Sequence, residues 1–166
     1  MSFTKMVKTV KKRSQSIKIL VVGLDNAGKS TVLGSYLGTE AVPAPTFGYK
    51  IFTVPRGAHT LDILDIGGQT SFRRYWRSYF ENVDAAVLVI DCSDSRPVGG
   101  YLSEICELDV PVAVFCNKVD LNPGFEPPSE LTKDHRFRCF KTSAIENSGI
   151  DEGFSWLIER ASQSWN

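Results

Sequence analysis

The chain has 166 residues, which suits one domain with a full hydrophobic core. Its 19 basic and 19 acidic residues cancel, which excludes a global field favouring nucleic acid. Apolar content of 42% and charged content of 23% are ordinary for a soluble globular domain, and no run approaches the ~18–20 apolar residues of a membrane span.

Nor do the thiols and imidazoles suggest a metal centre. Cys92, Cys106, Cys116 and Cys139 show no C-x-x-C spacing, and His59 and His135 are too few and too far apart for a zinc site. Cys92 and Cys116 end apolar runs, where a small buried hydrophobe is expected. This cysteine pattern and the lack of a secretory signal fit a reduced, cytosolic setting.

The first predicted element is a basic amphipathic helix in segment 1–16, ahead of a globular domain at 17–166. Lys5, Lys8, Lys11, Lys12, Arg13 and Lys18 stand among the first eighteen residues without one acid. Phe3, Met6, Val7 and Val10 recur at i, i+3, i+4 and i+7, one helical face. Such a helix either caps the core or meets an anionic membrane, where each basic residue contributes about 1 kcal/mol. Ser2 follows Met1, so the glycine required for N-myristoylation is absent. Four modest apolar side chains then predict only weak, transient membrane contact.

Ile17–Val22 reads as a buried strand, and Gly23 to Ser30 follows as G-L-D-N-A-G-K-S. This is a P-loop in the strand–loop–helix order that its chemistry requires. Gly23 and Gly28 permit a tight backbone path, and the N–H groups of Asp25, Asn26 and Ala27 can surround phosphate oxygens. The helix opening at Lys29 and continuing through Thr31 turns its positive end towards them. Lys29 reaches the β/γ-phosphates, and the Ser30 hydroxyl suits Mg²⁺. Asp25 adds a carboxylate beside the phosphates, which raises the importance of metal screening.

Ala44-Pro45-Thr46-Phe47-Gly48 comes next, with Thr46 as the candidate to close on Mg²⁺ and the γ-phosphate. Strands at 49–54 and 60–65 flank a hairpin at 55–59, so one edge strand is expected to be antiparallel. Asp65-Ile66-Gly67-Gly68-Gln69 ends the second strand. Asp65 suits a water-mediated role on the metal, the Gly68 N–H can meet a γ-phosphate, and Gln69 can orient the attacking water.

Further strands are predicted at 84–90, 111–116 and 136–140, with helices at 29–38, 73–81, about 99–107 and 150–161. Asn117-Lys118-Val119-Asp120 follows the fifth strand. The Asp120 carboxylate can accept from guanine N1–H and the 2-amino group, a donor pair that adenine lacks. The Lys118 stem can cover the base, and Asn117 can tie this loop to the P-loop. After the sixth strand, Ser143 and Ala144 lie in a loop placed to offer the Ala144 N–H to guanine O6. All these residues fall at strand C-terminal ends, where doubly wound sheets bind ligands.

Together these motifs resemble the ADP-ribosylation-factor-like small GTPases over nearly the whole chain. The marks are G-L-D-N-A-G-K-S, P-T-x-G around Thr46, D-x-G-G-Q at 65–69 and R-R-Y-W-R-S-Y-F-E-N at 73–82. The resemblance implies a small G domain of the P-loop NTPase class: an α/β fold with a six-stranded, mostly parallel sheet, one antiparallel edge strand and helices on both faces. It implies a monomer that binds GTP, GDP and Mg²⁺ and hydrolyses GTP slowly. Lys29, Thr46 and Gln69 would be catalytic, and Ser30, Thr46 and Asp65 would hold the metal. It also implies an exchange factor, effectors, and an activating protein that supplies an arginine, because no cis arginine is evident. Arg73 and Arg74 fit better as surface residues of the switch helix. Tyr75-Trp76-Arg77 and Phe80-Glu81-Asn82 look closest to the branch that handles lipidated ciliary cargo and tubulin-folding partners. That branch suggests a cytoplasmic protein with ciliary or peripheral membrane sites.

Two departures from the family pattern bear on partners. The 94–110 segment is short by roughly two helical turns, and Gly99-Gly100 starts a helix poorly. Leu64 stands where the family carries a tryptophan beside Tyr49 and Tyr79, an aromatic cluster that binds effectors. Other readings of the motifs are a non-hydrolysing, nucleotide-stabilised scaffold and a P-loop kinase or ATPase; N-K-x-D opposes the latter.

Overall fold

The computed structural model describes residues 2–39, 48–68, 76–96 and 99–165. Six strands form one sheet in the order β2-β3-β1-β4-β5-β6. They are β1 (Ser16–Gly23), β2 (Tyr49–Arg56), β3 (His59–Ile66), β4 (Ala85–Asp91), β5 (Val112–Asn117) and β6 (Phe137–Lys141). Among the described residues the helices are α1 (Phe3–Ser14), α2 (Lys29–Leu37), α3 (Trp76–Phe80), α4 (Gly99–Cys106), α5 (Ser129–Lys133) and α6 (Ile150–Gln163).

β1 shows why the sheet is covered on both faces. Ile17, Ile19 and Val21 point to one side and pack with Val32 and Leu33 of α2 and with Phe154 and Leu157 of α6. Leu20 and Val22 point to the other and pack with Leu102 and Ile105 of α4 and with Leu131 of α5. A strand whose alternate residues are both apolar must be sandwiched. β1 therefore pairs in parallel with β3 on one side and β4 on the other.

The expected antiparallel edge is present. β2 pairs with β3 from Tyr49↔Ile66 to Arg56↔His59. The two-residue turn Gly57-Ala58 closes the hairpin, with Gly57 at φ 58°, a left-handed conformation that favours glycine. Pro55 is tolerated within β2 because an edge strand can spare an N–H.

The helix predicted at about 99–107 is present, and one short helix departs from the sequence expectation. α4 starts at Gly99 despite its poor propensity, since burial of Leu102 and Ile105 outweighs the glycine cost. α5 was not foreseen: it is one short helix with one buried residue, Leu131, too brief for a periodic signal. α3 is described only as Trp76–Phe80; the predicted start at 73–75 lies outside the described residues. α1 forms as expected but does not bury its apolar face: Phe3 is 81% exposed and Val10 60%. A cavity of about 380 Å³ lies between Met6, Val7 and Val10 on α1, Lys18 on β1 and Asp84 just before β4.

Candidate functional site

The strand ends meet because glycines stand between them. A Cβ on Gly23 would collide with the Val89 carbonyl of β4. One on Gly28 would sit 2.5 Å from Asn117 Nδ2 at the end of β5, and one on Gly68 would sit 2.5 Å from Lys29 Nζ. Gly28 also has φ 95°, left-handed backbone that favours glycine, and it caps the start of α2. These glycines form a close cradle at a helix N-terminus, suited to phosphate.

Inside the cradle, Lys29 is only 7% exposed. Its ammonium donates to the Gly23 carbonyl at 3.2 Å and the Leu24 carbonyl at 3.1 Å. Burial pushes its pKa below the ordinary lysine value; Asp65 and Asp25 oppose that shift, and Arg96 adds to it. A buried, partly desolvated cation facing its own loop's carbonyls is poised to bind an anion.

At the start of α2, the Ser30 hydroxyl donates to Asp65 Oδ2 at 3.0 Å. Asp65 is fully buried at the end of β3. The pair offers hydroxyl and carboxylate oxygens, hard donors of the kind Mg²⁺ takes. Among the described residues no cluster of three or more His, Cys, Asp or Glu could hold a metal alone. A cation here would share its coordination with oxygens from outside the protein, as Mg²⁺ does on phosphates.

On the far side of the P-loop, Asn117 Nδ2 donates to the Ala27 carbonyl at 3.1 Å, as predicted, and Asn117 accepts from Thr142. Lys118 adopts φ 61° and its ammonium reaches the Asn26 carbonyl at 2.8 Å and Asp91 Oδ2 at 2.7 Å. Burial raises the Asp91 pKa, but Lys118 and Ser93 outweigh it and hold the carboxyl below its usual range. Asp120 accepts from the Ser143 hydroxyl at 2.7 Å. Ser143 itself is locked by reciprocal backbone bonds with Ser148. Ala144 is half-buried beside them, and Thr31 lies exposed on α2.

The backbone links the P-loop to the β3 end as well, for the Asp25 N–H donates to the Gly68 carbonyl at 3.0 Å. Thr46 and Gln69 lie outside the described residues, as do Arg73 and Arg74. The structure thus brings together the sequence-predicted residues of the P-loop, Asp65, Gly68, Asn117 and Lys118, with Asp120, Ser143 and Ala144 on the adjoining loops.

Two participants were missed from sequence. Arg96 donates to the Asp25 carbonyl at 2.7 Å, which places an arginine of this chain on the P-loop. Ile51, 62% exposed, stands opposite Leu64 across the β2–β3 ladder. The ring of Tyr49 lies 5.9 Å from that of Tyr79. Alternation along β2 from Tyr49 would have put Ile51 on the same face as that cluster. Nothing local marks Arg96.

A glycine-cradled loop between a parallel strand and a helix, with polar groups at successive strand ends, defines a P-loop nucleotide-binding α/β protein. Comparison with known proteins narrows the class. The chain matches the ADP-ribosylation factor family over residues 3–161. It is 34% identical to ADP-ribosylation factor-like protein 2 of Dictyostelium discoideum, covering 96% of this chain and 95% of that one. It is 36% identical to ADP-ribosylation factor-like protein 3 of Chlamydomonas reinhardtii, covering 96% and 99%. Identity to ADP-ribosylation factor 3 of Arabidopsis thaliana is 38%, covering 93% of each. Among solved structures, the Arl6 BBS3 small GTPase of Trypanosoma brucei, with bound nucleotide analogue GppNp, superposes with TM-score 0.77 at 29% identity, covering 89% of this chain and 98% of that one.

The chain belongs to the ADP-ribosylation factor family and is a small GTPase. Members of this family generally work with exchange factors, activating proteins and effectors. Among the described residues no helix is long and apolar enough to cross a membrane.

Proposed function

We propose that the protein is a guanine-nucleotide switch that cycles between GDP and GTP forms, hydrolyses GTP slowly without help, and recruits effectors in its GTP form. The observation that carries this reading is the convergence on one P-loop of Lys29 in its cradle, Ser30 against Asp65, and the N-K-x-D loop, which grips the P-loop through Asn117 and Lys118 and carries Asp120 against Ser143.

In this reading the P-loop amides and Lys29 bind the phosphates. Ser30 and Thr46 would ligate Mg²⁺, with Asp65 acting through water; the ion would neutralise phosphate charge. Asp120, held by Ser143, selects guanine over adenine, and the Ala144 N–H serves O6. Gln69 orients the attacking water. Gly68 already sits against Lys29, so a γ-phosphate and the Gly68 backbone would share that space and reset the segment that follows.

Effectors would read the face of Tyr49, Ile51, Leu64 and Tyr79. Leu64 in place of a large aromatic narrows the set of partners, since one anchor can be worth several kcal/mol. The strings Tyr75-Trp76-Arg77 and Phe80-Glu81-Asn82 support the branch that handles lipidated cargo and tubulin-folding partners. The exposed apolar face of α1 beside its lysines supports transient contact with anionic membrane from a cytoplasmic pool.

The test is nucleotide content and turnover of the full chain. Bound nucleotide is extracted and identified, then GTP is loaded with Mg²⁺ and phosphate release is followed for wild type and Gln69→Leu. Co-purified GDP, with slow release abolished by the substitution, is the expected result. GTP that stays uncleaved even with candidate activating proteins would favour a scaffold.

A further inference from the structure

We infer that Arg96 is a positioning residue that grips the P-loop from outside and slows nucleotide release. The inference rests on the guanine-switch reading above.

Three consecutive P-loop carbonyls are held by side chains from other loops. Ala27 is held by Asn117, Asn26 by Lys118 and Asp25 by Arg96. The first two grips come from the base-recognition motif. The third comes from the loop between β4 and α4, 71 residues along the chain. A peptide unit is planar, with its N–H opposite its C=O. Holding the Asp25 carbonyl outward therefore fixes the direction of the Asn26 N–H, one of the amides that frame the phosphate cradle.

The grip is built rather than incidental. Asp94 accepts from the Arg96 backbone N–H at 2.9 Å and from its Nε at 2.6 Å. That pairing holds the Asp94 carboxyl below its usual range. One edge of the guanidinium is thus fixed on Asp94, and Nη2 is left to reach both Asp94 and Asp25. The same loop is anchored one turn earlier. Asp91 accepts from the Ser93 N–H and hydroxyl on one oxygen and from Lys118 on the other. Two carboxylates therefore aim two cations at neighbouring carbonyls. Arg96 also lies close enough for its charge to act on Lys29. Lys118 bridges its carboxylate and carbonyl with one compact charge, whereas the planar Arg96 fork sets both Nε and Nη2 on Asp94 and so fixes the direction from which Nη2 meets the Asp25 carbonyl.

The test uses the full chain loaded with a fluorescent GDP analogue and chased with excess unlabelled GDP in Mg²⁺. Arg96→Ala is expected to release the probe about five- to tenfold faster, the scale of one charge-assisted hydrogen bond at a half-exposed site. Arg96→Lys should fall between alanine and wild type, and Asp94→Asn should quicken release by about two- to threefold. Hydrogen exchange at the Asn26 amide should rise in the same order. Release from Arg96→Ala within about twofold of wild type would overturn the inference. So would faster release with unchanged Asn26 exchange and a lower melting temperature of the nucleotide-free chain, because that marks a general structural role. If Arg96→Ala does not fold, Arg96→Lys and Asp94→Asn decide by the same readouts. Failure of the wild-type chain to hold any guanine probe would sink the switch reading and this inference with it; a normal wild type with an unchanged variant would sink this inference alone.

Discussion

Ser30 and Asp65 stand 3.0 Å apart, hydroxyl to carboxylate, although one opens α2, the other ends β3 and 35 residues separate them. The contact joins the start of the phosphate-binding helix to the motif that precedes Gln69. With a metal present, the two oxygens would turn from one another to a shared cation, directly for Ser30 and through water for Asp65.

On the proposed reading, nucleotide retention should be metal-dependent. Ser30→Ala should speed GDP release in Mg²⁺ by about tenfold, since one hard ligand is lost. In EDTA the variant and the wild type should release GDP at similar rates. A variant that differs from wild type equally in Mg²⁺ and EDTA would show that Ser30 acts on structure alone.

Base choice should follow the Asp120–Ser143 pair. Asp120→Asn replaces an acceptor with a donor where guanine presents two donors. Guanine nucleotide affinity should fall by about 10- to 100-fold, while xanthine nucleotides, with a carbonyl at C2, should gain. Ser143→Ala leaves the carboxylate in place but unsteadied, and about a fivefold loss is expected. Competition of GDP, XDP and ADP against a fluorescent probe reads all three effects.

Most of this site was legible in the sequence because its parts are local strings. The P-loop needs eight consecutive residues, N-K-x-D needs four, and each follows an apolar run that could only be a buried strand. β1, β4 and β5 were readable for that reason. Arg96 was not, because its partner Asp25 lies 71 residues away and no spacing rule connects them. The exposed face of α1 was not legible either: Phe3, Met6, Val7 and Val10 mark an amphipathic helix but not what, if anything, covers it. α4 was legible at about 99–107 even though Gly99-Gly100 weakens its start, which burial of Ile105 supports.

Gly153 sets how closely α6 approaches the sheet. A Cβ there would run into the ring of Phe115. That ring is fully buried and packed edge-on against Phe140 and Phe154, with centroids at 6.1 and 5.5 Å. Gly153→Ala gains about 1 kcal/mol in helix propensity. Overpacking a fixed aromatic costs about 1–3 kcal/mol. The net expectation is a loss of roughly 1 kcal/mol and a melting temperature lower by about 2–4 °C. A stabilised variant would mean that α6 can shift away from β5 at little cost.

Lys29 should impose opposite pH dependences on the empty and the loaded protein. Burial lowers its folded-state pKa below the unfolded value. Between those two values the unfolded chain binds more protons than the folded one. Stability of the nucleotide-free protein therefore rises with pH across that window, by at most about 1.4 kcal/mol per unit. Phosphate oxygens favour the ammonium form, so binding draws a proton onto Lys29 and GDP affinity falls as pH rises through the same window. Lys29→Met removes the group, and its nucleotide-free stability should lose this part of the alkaline rise. Melting temperatures of both proteins and the GDP affinity of wild type, measured from about pH 7.5 to about pH 10, supply the comparison. Identical alkaline trends in the two proteins would show that Lys29 is fully charged in the empty cradle. The carbonyls of Gly23 and Leu24, not the nucleotide, would then supply its counter-field.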